Sequence, residues 1–451
     1  MLRVILTALT MTRAGDGLPV KSPTSVGMSS SRLGAIERVV ERGIKAGGYP
    51  GASVIVGRKG AAVYEKGFGK LSWSENSTLV DAQRTIYDVA SLSKVVGTTT
   101  AIMILYDEKK IGLDDPVVNY IPTFGGGDKD KVTIRQLLTH TSGLPAGRDI
   151  WRIAQTPLEA RALVLNTPLE GRPGAQYIYS DLGADVLGLL VEVVSGEPLD
   201  KFLTRRVFEP LGMNETMYRP ADSLRYRIAP TEVTPPRGYP LRGEVHDENA
   251  YALGGVAGHA GLFSTAADLS VFAQMMLNGG EYNGVQIISK PTVELFTSRA
   301  FGHRALGWDT AEGDYGSGRY LGPTAYGHTG FTGTSMWIDP EREMFVILLT
   351  NRVHAARALR PAKVISDVRA DLSDAAVLSV LDGPKLASGS KAFRADREVG
   401  WNPPPRASRR RHGSSRHHTI ASATSRSRAS SAKKSASSMK APAKKSSKKS
   451  H

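Results

Sequence analysis

The segment Ser91-Leu92-Ser93-Lys94 stands between an extended stretch, residues 85–89, and a long apolar run that is typical of a helix. Residues three apart on a helix share one face, so the Lys94 side chain is predicted to reach the Ser91 hydroxyl. The helix N-terminus also favours negative charge that develops on the serine oxygen. We therefore interpret Ser91 as a candidate nucleophile for attack on an acyl carbon.

The pattern Ser-x-x-Lys is a weak signal when it stands alone. It recurs at residues 388–391, 431–434, 437–440 and 446–449, in a low-complexity stretch that shows no helical pattern. Other segments of the chain must therefore support the interpretation of Ser91.

The positive charge of the chain is concentrated at its C-terminal end. The 451 residues have a formal net charge of +15, but residues 401–451 hold 14 Lys and Arg side chains and no Asp or Glu. The other 400 residues hold 44 basic and 43 acidic side chains, so the net charge predicts no basic groove in the folded part. Residues 383–451, rich in Ser, Ala, Lys and Arg, are predicted to be a disordered tail. Weak, salt-sensitive contact of this tail with polyanions is the alternative interpretation.

The sequence contains no cysteine, which excludes thiol catalysis, disulfide bonds and zinc sites built from cysteine. Residues 1–11 carry one early positive charge and a short apolar run, but no clear small-x-small cleavage site follows. A weak signal segment and an ordinary N-terminal arm over residues 1–24 both fit this pattern, and a periplasmic or secreted location is slightly favoured over a cytoplasmic one. No other stretch has the ~20 apolar residues that a membrane span requires.

The segments between these ends predict a folded domain over residues 25–382. Residues 30–46 have apolar side chains at helical spacing and end at two glycines. Short apolar segments joined by four-residue turns predict two β-hairpins, residues 52–56 with 61–64 and residues 334–339 with 344–350. The simplest assembly is one antiparallel sheet built from both ends of the domain, with a last helix over residues 355–372 packed beside the first. The fold class is thus predicted to be α+β, an antiparallel β-sheet flanked by helices plus a helical region over residues 91–319.

Three further motifs follow the serine segment in order. They are residues 133–145, which include Thr139-His140-Thr141-Ser142-Gly143, then Tyr179-Ser180-Asp181, and then His328-Thr329-Gly330. With Ser91 and Lys94 they resemble, in order and spacing, the serine β-lactamase-like family, which includes class C β-lactamases, low-molecular-weight penicillin-binding D,D-peptidases and related esterases. The resemblance covers about residues 33–372. It implies a β-lactamase/transpeptidase-like fold and an acyl-enzyme mechanism that uses no metal or cofactor.

The resemblance also implies catalytic roles for three residues. Ser91 is the nucleophile, and Lys94 acts either as a base, if burial lowers its pKa, or as a cation that stabilises the alkoxide. Tyr179 is expected to face both residues, where a nearby cation favours the phenolate and suits the phenol as general base. His140 is expected to be structural, satisfying carbonyl groups of its own turn.

The strand motif is expected to form the other side of the site. His328 orients a substrate carboxylate when protonated or relays protons when neutral, and Gly330 allows the substrate backbone to approach. The N–H groups of Ser91 and Phe331 are the expected oxyanion donors. Asp181, a candidate substrate contact, stands where the family more often has Asn, and His328 stands where β-lactamases usually have Lys. The lost permanent charge favours a peptidase or an esterase over an antibiotic hydrolase.

Residues 245–250 and the glycine-rich segment that follows, residues 254–269, are similar to a D,D-carboxypeptidase-like branch of the family. This loop is predicted to line the cleft, with His246, Asp247 and Asn249 as candidate substrate contacts. Their spacing matches no strong metal-ligand pattern, so no metal site is predicted.

We therefore predict a serine hydrolase that forms an acyl-enzyme with peptide-like or ester substrates. Wall peptides of the D-Ala-D-Ala type rank first as substrates, small esters second and β-lactams third, so an esterase or a β-lactamase is the alternative. In another class, the alternative is a non-catalytic penicillin-binding or wall-associated protein. The intact Ser91, Lys94 and Tyr179 favour catalysis. The expected partner is a small-molecule or peptide acyl substrate, and the sequence leaves the oligomeric state open.

Overall fold

A six-stranded antiparallel sheet is the centre of the fold. The computed structural model describes residues 17–233, 235–311, 316–354, 361–384, 386 and 393–402. Within these residues the strands are β1 (Gly51–Arg58), β2 (Ala61–Gly69), β3 (Tyr87–Asp88), β4 (Met217–Tyr218), β5 (Leu262–Ser264), β6 (Glu281–Tyr282), β7 (Val285–Gln286), β8 (Asp309–Thr310), β9 (Tyr326–Thr329), β10 (Ser335–Asp339) and β11 (Met344–Thr350).

The central sheet has the strand order β2-β1-β11-β10-β9-β8. Strand β1 pairs antiparallel with β11 in a register that places Val54 opposite Leu348. The two predicted hairpins therefore lie in one sheet built from both ends of the domain, which confirms the predicted α+β fold.

Helices cover the sheet and fill the middle of the chain. In the described ranges the α-helices are α1 (Ser30–Leu33), α2 (Ala35–Lys45), α3 (Thr100–Asp107), α4 (Ile134–Leu138), α5 (Pro157–Leu165), α6 (Asp181–Ser195), α7 (Leu199–Leu203), α8 (Glu209–Leu211), α9 (Glu248–Ala252), α10 (Ala266–Leu277), α11 (Lys290–Thr297) and α12 (Ala362–Leu378). π-Helical turns over Lys94–Thr99 and Thr204–Phe208 lead into α3 and α8.

The predicted first and last helices are both present with shifted bounds. The first is divided into α1 and α2 at Gly34. The last begins at Ala362, after Pro361, and continues to Leu378 because Ala375, Ala376 and Val377 extend its buried face. Residues 355–360, which the sequence placed in this helix, lie outside the described residues.

The sheet separates two apolar clusters. Alternate side chains of β1 point to opposite faces, so Val54 packs with α2 and α12, whereas Ile55 joins the cluster of the helical region. The helical region also contains a three-stranded sheet, β3-β5-β4, that the sequence did not predict. These strands have only two or three residues each, too few for a period-two pattern. Strand β3 lies directly before the Ser91 segment, and β5 belongs to the glycine-rich segment. The pairing of β3 with β5 therefore brings the two segments together.

The folded part extends beyond the boundary predicted near Asp382. Residues 393–402 pack on α2 and α12, with Phe393 and Trp401 buried in the same cluster as Val54. The Trp401 indole donates a 2.8 Å hydrogen bond to Asp367. The predicted arm before residue 17 and the basic tail after residue 402 lie outside the described residues.

In the ranges that the structure describes, no helix has both the length and the apolar character needed to cross a membrane.

Truncation tests the contribution of residues 393–402. A chain that ends at Asn402 should unfold at the same temperature as the full chain, because its apolar contacts are intact. A chain that ends at Gly383 loses the burial of Phe393 and Trp401, which is worth at least about 3 kcal/mol, and should unfold at a temperature several degrees lower. Differential scanning calorimetry compares the three chains, and equal unfolding temperatures would contradict the assignment of these residues to the folded part.

Candidate active site

Ser91 lies at a sharp turn between strand β3 and the helix that follows. The turn is made by Ala90, whose φ of +47° is in the left-handed region that non-glycine residues rarely adopt. The Asp88 carboxylate accepts a hydrogen bond of 2.9 Å from the Ala90 N–H and holds this conformation. The turn's own bonds are donated by the N–H groups of Leu92, Ser93 and Lys94 and do not use that of Ser91. Ser91 is half-buried and points into a cavity of about 290 Å³.

The Lys94 side chain is buried beneath Ser91 and has three oxygen partners. Its Nζ lies 2.9 Å from Ser91 Oγ, 2.7 Å from Asp181 Oδ1 and 3.1 Å from the carbonyl oxygen of His259. Burial alone lowers the pKa of Lys94, but the Asp181 carboxylate and the Tyr179 phenol outweigh burial and raise that pKa above its ordinary value. Lys94 is therefore an ammonium group that donates to Ser91, and the geometry favours the cation among its two predicted roles.

Tyr179 lies over the Lys94 ammonium, which is 5.0 Å from the centre of the phenol ring. The preceding motif holds the tyrosine in place, because His140 Nδ1 accepts a 3.1 Å bond from the Ser180 N–H and its ring packs 4.6 Å from that of Tyr179. Burial and the nearby cations lower the pKa of His140 well below its ordinary value, so its ring is a neutral acceptor. The Ser180 side chain caps helix α6, which starts at Asp181. His140 therefore supports the Tyr179 segment by accepting from the Ser180 N–H, whereas the expected structural role was to satisfy carbonyl groups of its own turn.

His328 lies on β9 with its ring 5.9 Å from that of Tyr179. Nδ1 donates to the Thr329 carbonyl at 2.7 Å, so the neutral ring presents Nε2 as an acceptor. Nε2 is buried, has no hydrogen-bond partner among the described residues, and lies 4.0 Å from Asp309. Burial lowers the pKa of His328 to about 4 although Asp309 opposes the shift. Of the two predicted roles, proton relay agrees with a neutral ring, and recognition of a carboxylate by a charged ring does not.

The loop after β9 is fastened to the chain that precedes Ser91. The hydroxyl groups of Thr332 and Thr334 donate to the carbonyl groups of Asp88 and Val89, at 2.8 and 2.9 Å. At Gly330 a Cβ atom would lie 2.1 Å from Thr334 Oγ1 and 2.5 Å from the Val89 carbonyl oxygen. This glycine is therefore required by the contact between the two segments, whereas the sequence had suggested that it gives space to a substrate.

The rim of the Ser91 cavity contains most of the other predicted site residues. Phe331 is 47% exposed and stacks on His246, with ring centres 5.7 Å apart. His246 and Asp247 both line the cavity, but each has a partner within the protein. The His246 ring bonds to Glu232 at 2.6 Å, and Asp247 caps helix α9. Asp181 also lines the cavity, and its ion pair with Lys94 was not predicted.

Asn249 lies away from this cavity, contrary to its prediction as a substrate contact. Its Oδ1 accepts a 3.2 Å bond from the Trp151 N–H, and its Nδ2 donates at 2.8 Å to the Arg148 carbonyl. Both ends of the amide are thus used to join α9 to the 148–151 loop.

A buried ion triad that the sequence did not predict stands behind Lys94. The His259 ring is only 2% exposed; its Nδ1 lies 2.7 Å from Asp185 and its Nε2 lies 2.9 Å from Asp247. Burial opposes charge, but the two carboxylates raise the pKa of His259 well above its ordinary value, so the ring is an imidazolium that donates to both. Because the His259 carbonyl accepts from Lys94, the triad fixes the position of that carbonyl. The sequence feature that could have indicated this triad is the spacing of Asp181 and Asp185, which lie four residues apart on one helix face.

A second buried cation, Arg304, also lies close to Tyr179. Its guanidinium is 5.8 Å from the centre of the phenol ring and forms an ion pair with Asp309 of β8. Lys94 and Arg304 thus both place positive charge close to the Tyr179 ring. No sequence motif around Arg304 had indicated that its side chain lies close to Tyr179.

The arrangement has the parts that acyl transfer needs: a hydroxyl bonded to an ammonium group, a phenol close to two cations, and a cavity beside them. Within the part of the chain that the structure describes, no group of three or more His, Asp or Glu side chains is placed to hold a metal ion.

Comparison with known proteins identifies the family. The family model described as Beta-lactamase matches residues 36–369. A protein of Escherichia coli K12 named "Putative D-alanyl-D-alanine carboxypeptidase" is 33% identical over 397 residues, which cover 79% of this chain and 91% of that protein. The octameric penicillin-binding protein homologue from Pyrococcus abyssi is 25% identical with a TM-score of 0.58, over 71% of this chain and 73% of that one. EstCE1, a hydrolase with promiscuous acyltransferase activity, has the same fold, with 23% identity and a TM-score of 0.62 over 77% of this chain and 99% of that one. The chain belongs to the beta-lactamase family and is a serine hydrolase of that family.

Proposed function

We propose that this protein is a D,D-carboxypeptidase-like hydrolase that removes the last residue of wall peptides of the D-Ala-D-Ala type through an acyl-enzyme on Ser91. The observation that carries the proposal is the 2.9 Å contact between Ser91 Oγ and a Lys94 ammonium at the edge of the cavity. The name of the 33% identical Escherichia coli relative supports the substrate class.

Proton transfer in the proposed cycle is carried by Tyr179. Lys94 is already protonated and holds the Ser91 oxygen as charge develops on it. Tyr179, acting as a phenolate near Lys94 and Arg304, takes the Ser91 proton and passes it to the leaving amine as the peptide bond breaks. In deacylation, water attacks the ester, its proton goes to Tyr179, and Ser91 recovers a proton when the ester bond breaks.

The carbonyl oxygen of the substrate is stabilised by the N–H groups of Ser91 and Phe331. The hydrogen bonds from the two threonine hydroxyls to the carbonyl groups of Asp88 and Val89 support this assignment, because they hold the loop of Phe331 beside the Ser91 turn. The terminal carboxylate of a peptide needs a cation that His328 does not provide. Arg352, whose Nε donates at 2.9 Å to the Phe331 carbonyl and whose guanidinium lies 4.9 Å from the centre of the Phe331 ring, is the proposed cation for that carboxylate.

Ester hydrolysis is the second candidate function, favoured by the charge of the cavity wall. His328 is neutral at neutral pH, and Asp181, Asp247 and Glu248 line the cavity. A small ester has no carboxylate and is not repelled by these acids.

Active-site labelling tests the nucleophile and the reaction class together. Ser91→Ala should abolish labelling by a fluorescent penicillin and by a fluorophosphonate, because both reagents need the serine oxygen. Gel fluorescence measures both reactions, and labelling by the fluorophosphonate alone in the wild type would favour the esterase. Ser446→Ala, which changes another Ser-x-x-Lys sequence of this chain, is the matched control and should label as the wild type does. Persistent labelling of Ser91→Ala would overturn the mechanism.

The Asp181–Lys94 pair predicts a pH effect. Asp181→Asn removes the carboxylate that keeps Lys94 charged, so burial should lower the pKa of Lys94. Since the ammonium form is the active one, the alkaline limb of the kcat/KM profile should move to lower pH by at least about one unit. Hydrolysis of a p-nitrophenyl ester from pH 6 to pH 10 measures the limb.

Glu248→Gln is the control for this experiment, because it removes another cavity carboxylate and keeps the Asp181–Lys94 pair. Its alkaline limb should stay in place. An unmoved limb in Asp181→Asn would show that Lys94 does not act as a cation.

The His259 triad predicts a stability effect with a defined sign. The raised folded-state pKa of His259 stabilises the protein fully below about pH 6.5, its unfolded value, and this contribution is lost as pH rises through the folded value. The difference in unfolding temperature between wild type and His259→Gln should therefore be largest near pH 6, where it reflects about 3 kcal/mol, and should shrink at higher pH. Calorimetry across pH measures it. In the same variant kcat should fall more than KM rises, since Lys94 is displaced; a pH-independent difference with unchanged kcat would contradict the triad's role.

A further inference from the structure

A second cavity is lined in part by helix α9, as the Ser91 cavity is. It has a volume of about 760 Å³ and is lined by parts of residues 151–157, 219–225, 236–245 and 251–255. Glu248, at the start of α9, faces the Ser91 cavity, whereas Tyr251 and Ala252, at its end, face the second one. Helix α9 is therefore part of the wall of both cavities.

Two arginines stand side by side in this cavity. Arg242 donates from Nε and Nη2 to the carbonyl groups of Ile228 and Tyr226, both at 2.8 Å, which fixes its guanidinium against the wall. The Arg225 side chain packs against Gly243, because a Cβ atom at this glycine would lie 3.5 Å from Arg225 Cγ. Arg225 therefore lies next to Arg242, which precedes Gly243 in the chain. Burial and the charge of Arg225 lower the pKa of Arg242, which shows that the two cations repel each other. A bound anion relieves this repulsion.

The acids of this cavity do not neutralise the two arginines closely. Asp222 lies 3.9 Å from Arg225 on a side chain that is 96% exposed, where water screens the pair. Glu244 accepts a 3.0 Å bond from the Tyr239 hydroxyl and lies 3.6 Å from Arg237. Among the residues that the structure describes, Arg242 has no carboxylate within ion-pair distance and the partner of Arg225 is screened by water, so both guanidinium groups can bind an external anion.

The second cavity is also connected to the active-site wall through Arg237. Its guanidinium lies 4.5 Å from the centre of the Tyr251 ring and donates at 2.7 Å to the carbonyl of His246, which lines the Ser91 cavity. Tyr239, Tyr251 and Trp151 add aromatic surface on which peptide or ring groups can pack.

We propose that this cavity binds the acidic, N-terminal part of the peptide substrate, with Arg225 and Arg242 receiving a carboxylate two or three residues before the acylated one. The spacing follows from α9, whose five residues span about 7.5 Å, and from an extended chain, which covers about 3.4 Å per residue. The proposal rests on the proposed peptidase function. This carboxylate is a substrate feature that the Ser91 cavity alone does not select.

Two peptides that differ by one charge test the proposal. Both are N-acetylated pentapeptides with the order L-Ala, γ-linked D-Glu, Nε-acetyl-L-Lys, D-Ala, D-Ala; in one the D-Glu α-carboxylate is free, and in the other it is an amide. Release of D-Ala gives kcat/KM for each. The wild type should prefer the free acid by about tenfold, the effect of one or two charge-assisted hydrogen bonds. The ratio should fall to near one in Arg225→Gln/Arg242→Gln and should decrease as sodium chloride is added.

Lys21→Gln/Lys45→Gln is the matched control, since it removes the same number of charges from exposed positions that line neither cavity. It should keep the wild-type ratio. A wild-type ratio near one, or an unchanged ratio in the arginine variant with an unfolding temperature equal to wild type, would overturn the subsite.

Binding separates this proposal from the peptidase function itself. Ser91→Ala cannot form the acyl-enzyme, so calorimetric titration with the two peptides measures the subsite without catalysis. Tighter binding of the free acid, lost in the triple variant with both arginines changed, supports the subsite even if the wild type releases no D-Ala. Equal binding of both peptides, or no binding of either, rejects the subsite even if D-Ala is released.

Discussion

The contact between the Lys94 ammonium and three oxygen atoms is the constraint on which the site depends. A lysine that is 3% exposed keeps its charge only if its three N–H donors are satisfied. Ser91 Oγ and the His259 carbonyl oxygen accept hydrogen bonds from Lys94 Nζ, Asp181 Oδ1 adds an ion pair, and the three oxygens come from three separate parts of the chain. The nucleophile is therefore positioned by the same group that stabilises its charge.

Each of these oxygens is fixed by a different part of the fold. Asp181 is the first residue of α6, capped by Ser180, and the same helix carries Asp185 to the His259 ring. Asp247 binds the other nitrogen of that ring and caps α9, the helix that lines both cavities. Because one imidazolium joins α6 to this helix, a disturbance at His259 reaches both the ammonium and the substrate-facing side of the cleft. The central sheet completes the site by fastening the Phe331 loop to the turn before Ser91.

Local patterns explain what could be predicted from the sequence. Ser91 and Lys94 are close because they lie three apart on one helical turn, and the hairpins were visible as short apolar segments joined by four-residue turns, so both the central contact and the hairpins followed from near neighbours. His259, Asp185 and Arg304 could not be found in this way. Their partners are 12 to 74 residues distant in the triad, and Arg304 meets Tyr179 only through tertiary packing. The prediction for Asn249 failed in the opposite way. The sequence pattern predicted a substrate contact because this residue lies among other candidate ligands, but its amide joins two segments of the protein. The electrostatic state of Lys94 and His328 likewise depends on burial, which no short motif reports.

The protonation state of Lys94 is the most direct test of this account. Lysine labelled with ¹⁵N at Nζ, assigned through a Lys94→Arg variant, reports ammonium and amine as separate chemical shifts. The account predicts that the Lys94 resonance keeps the ammonium shift from neutral pH to above pH 10, because Asp181 and the His259 carbonyl hold the charge. A transition to the amine at or below neutral pH would contradict it and would make Lys94 the general base.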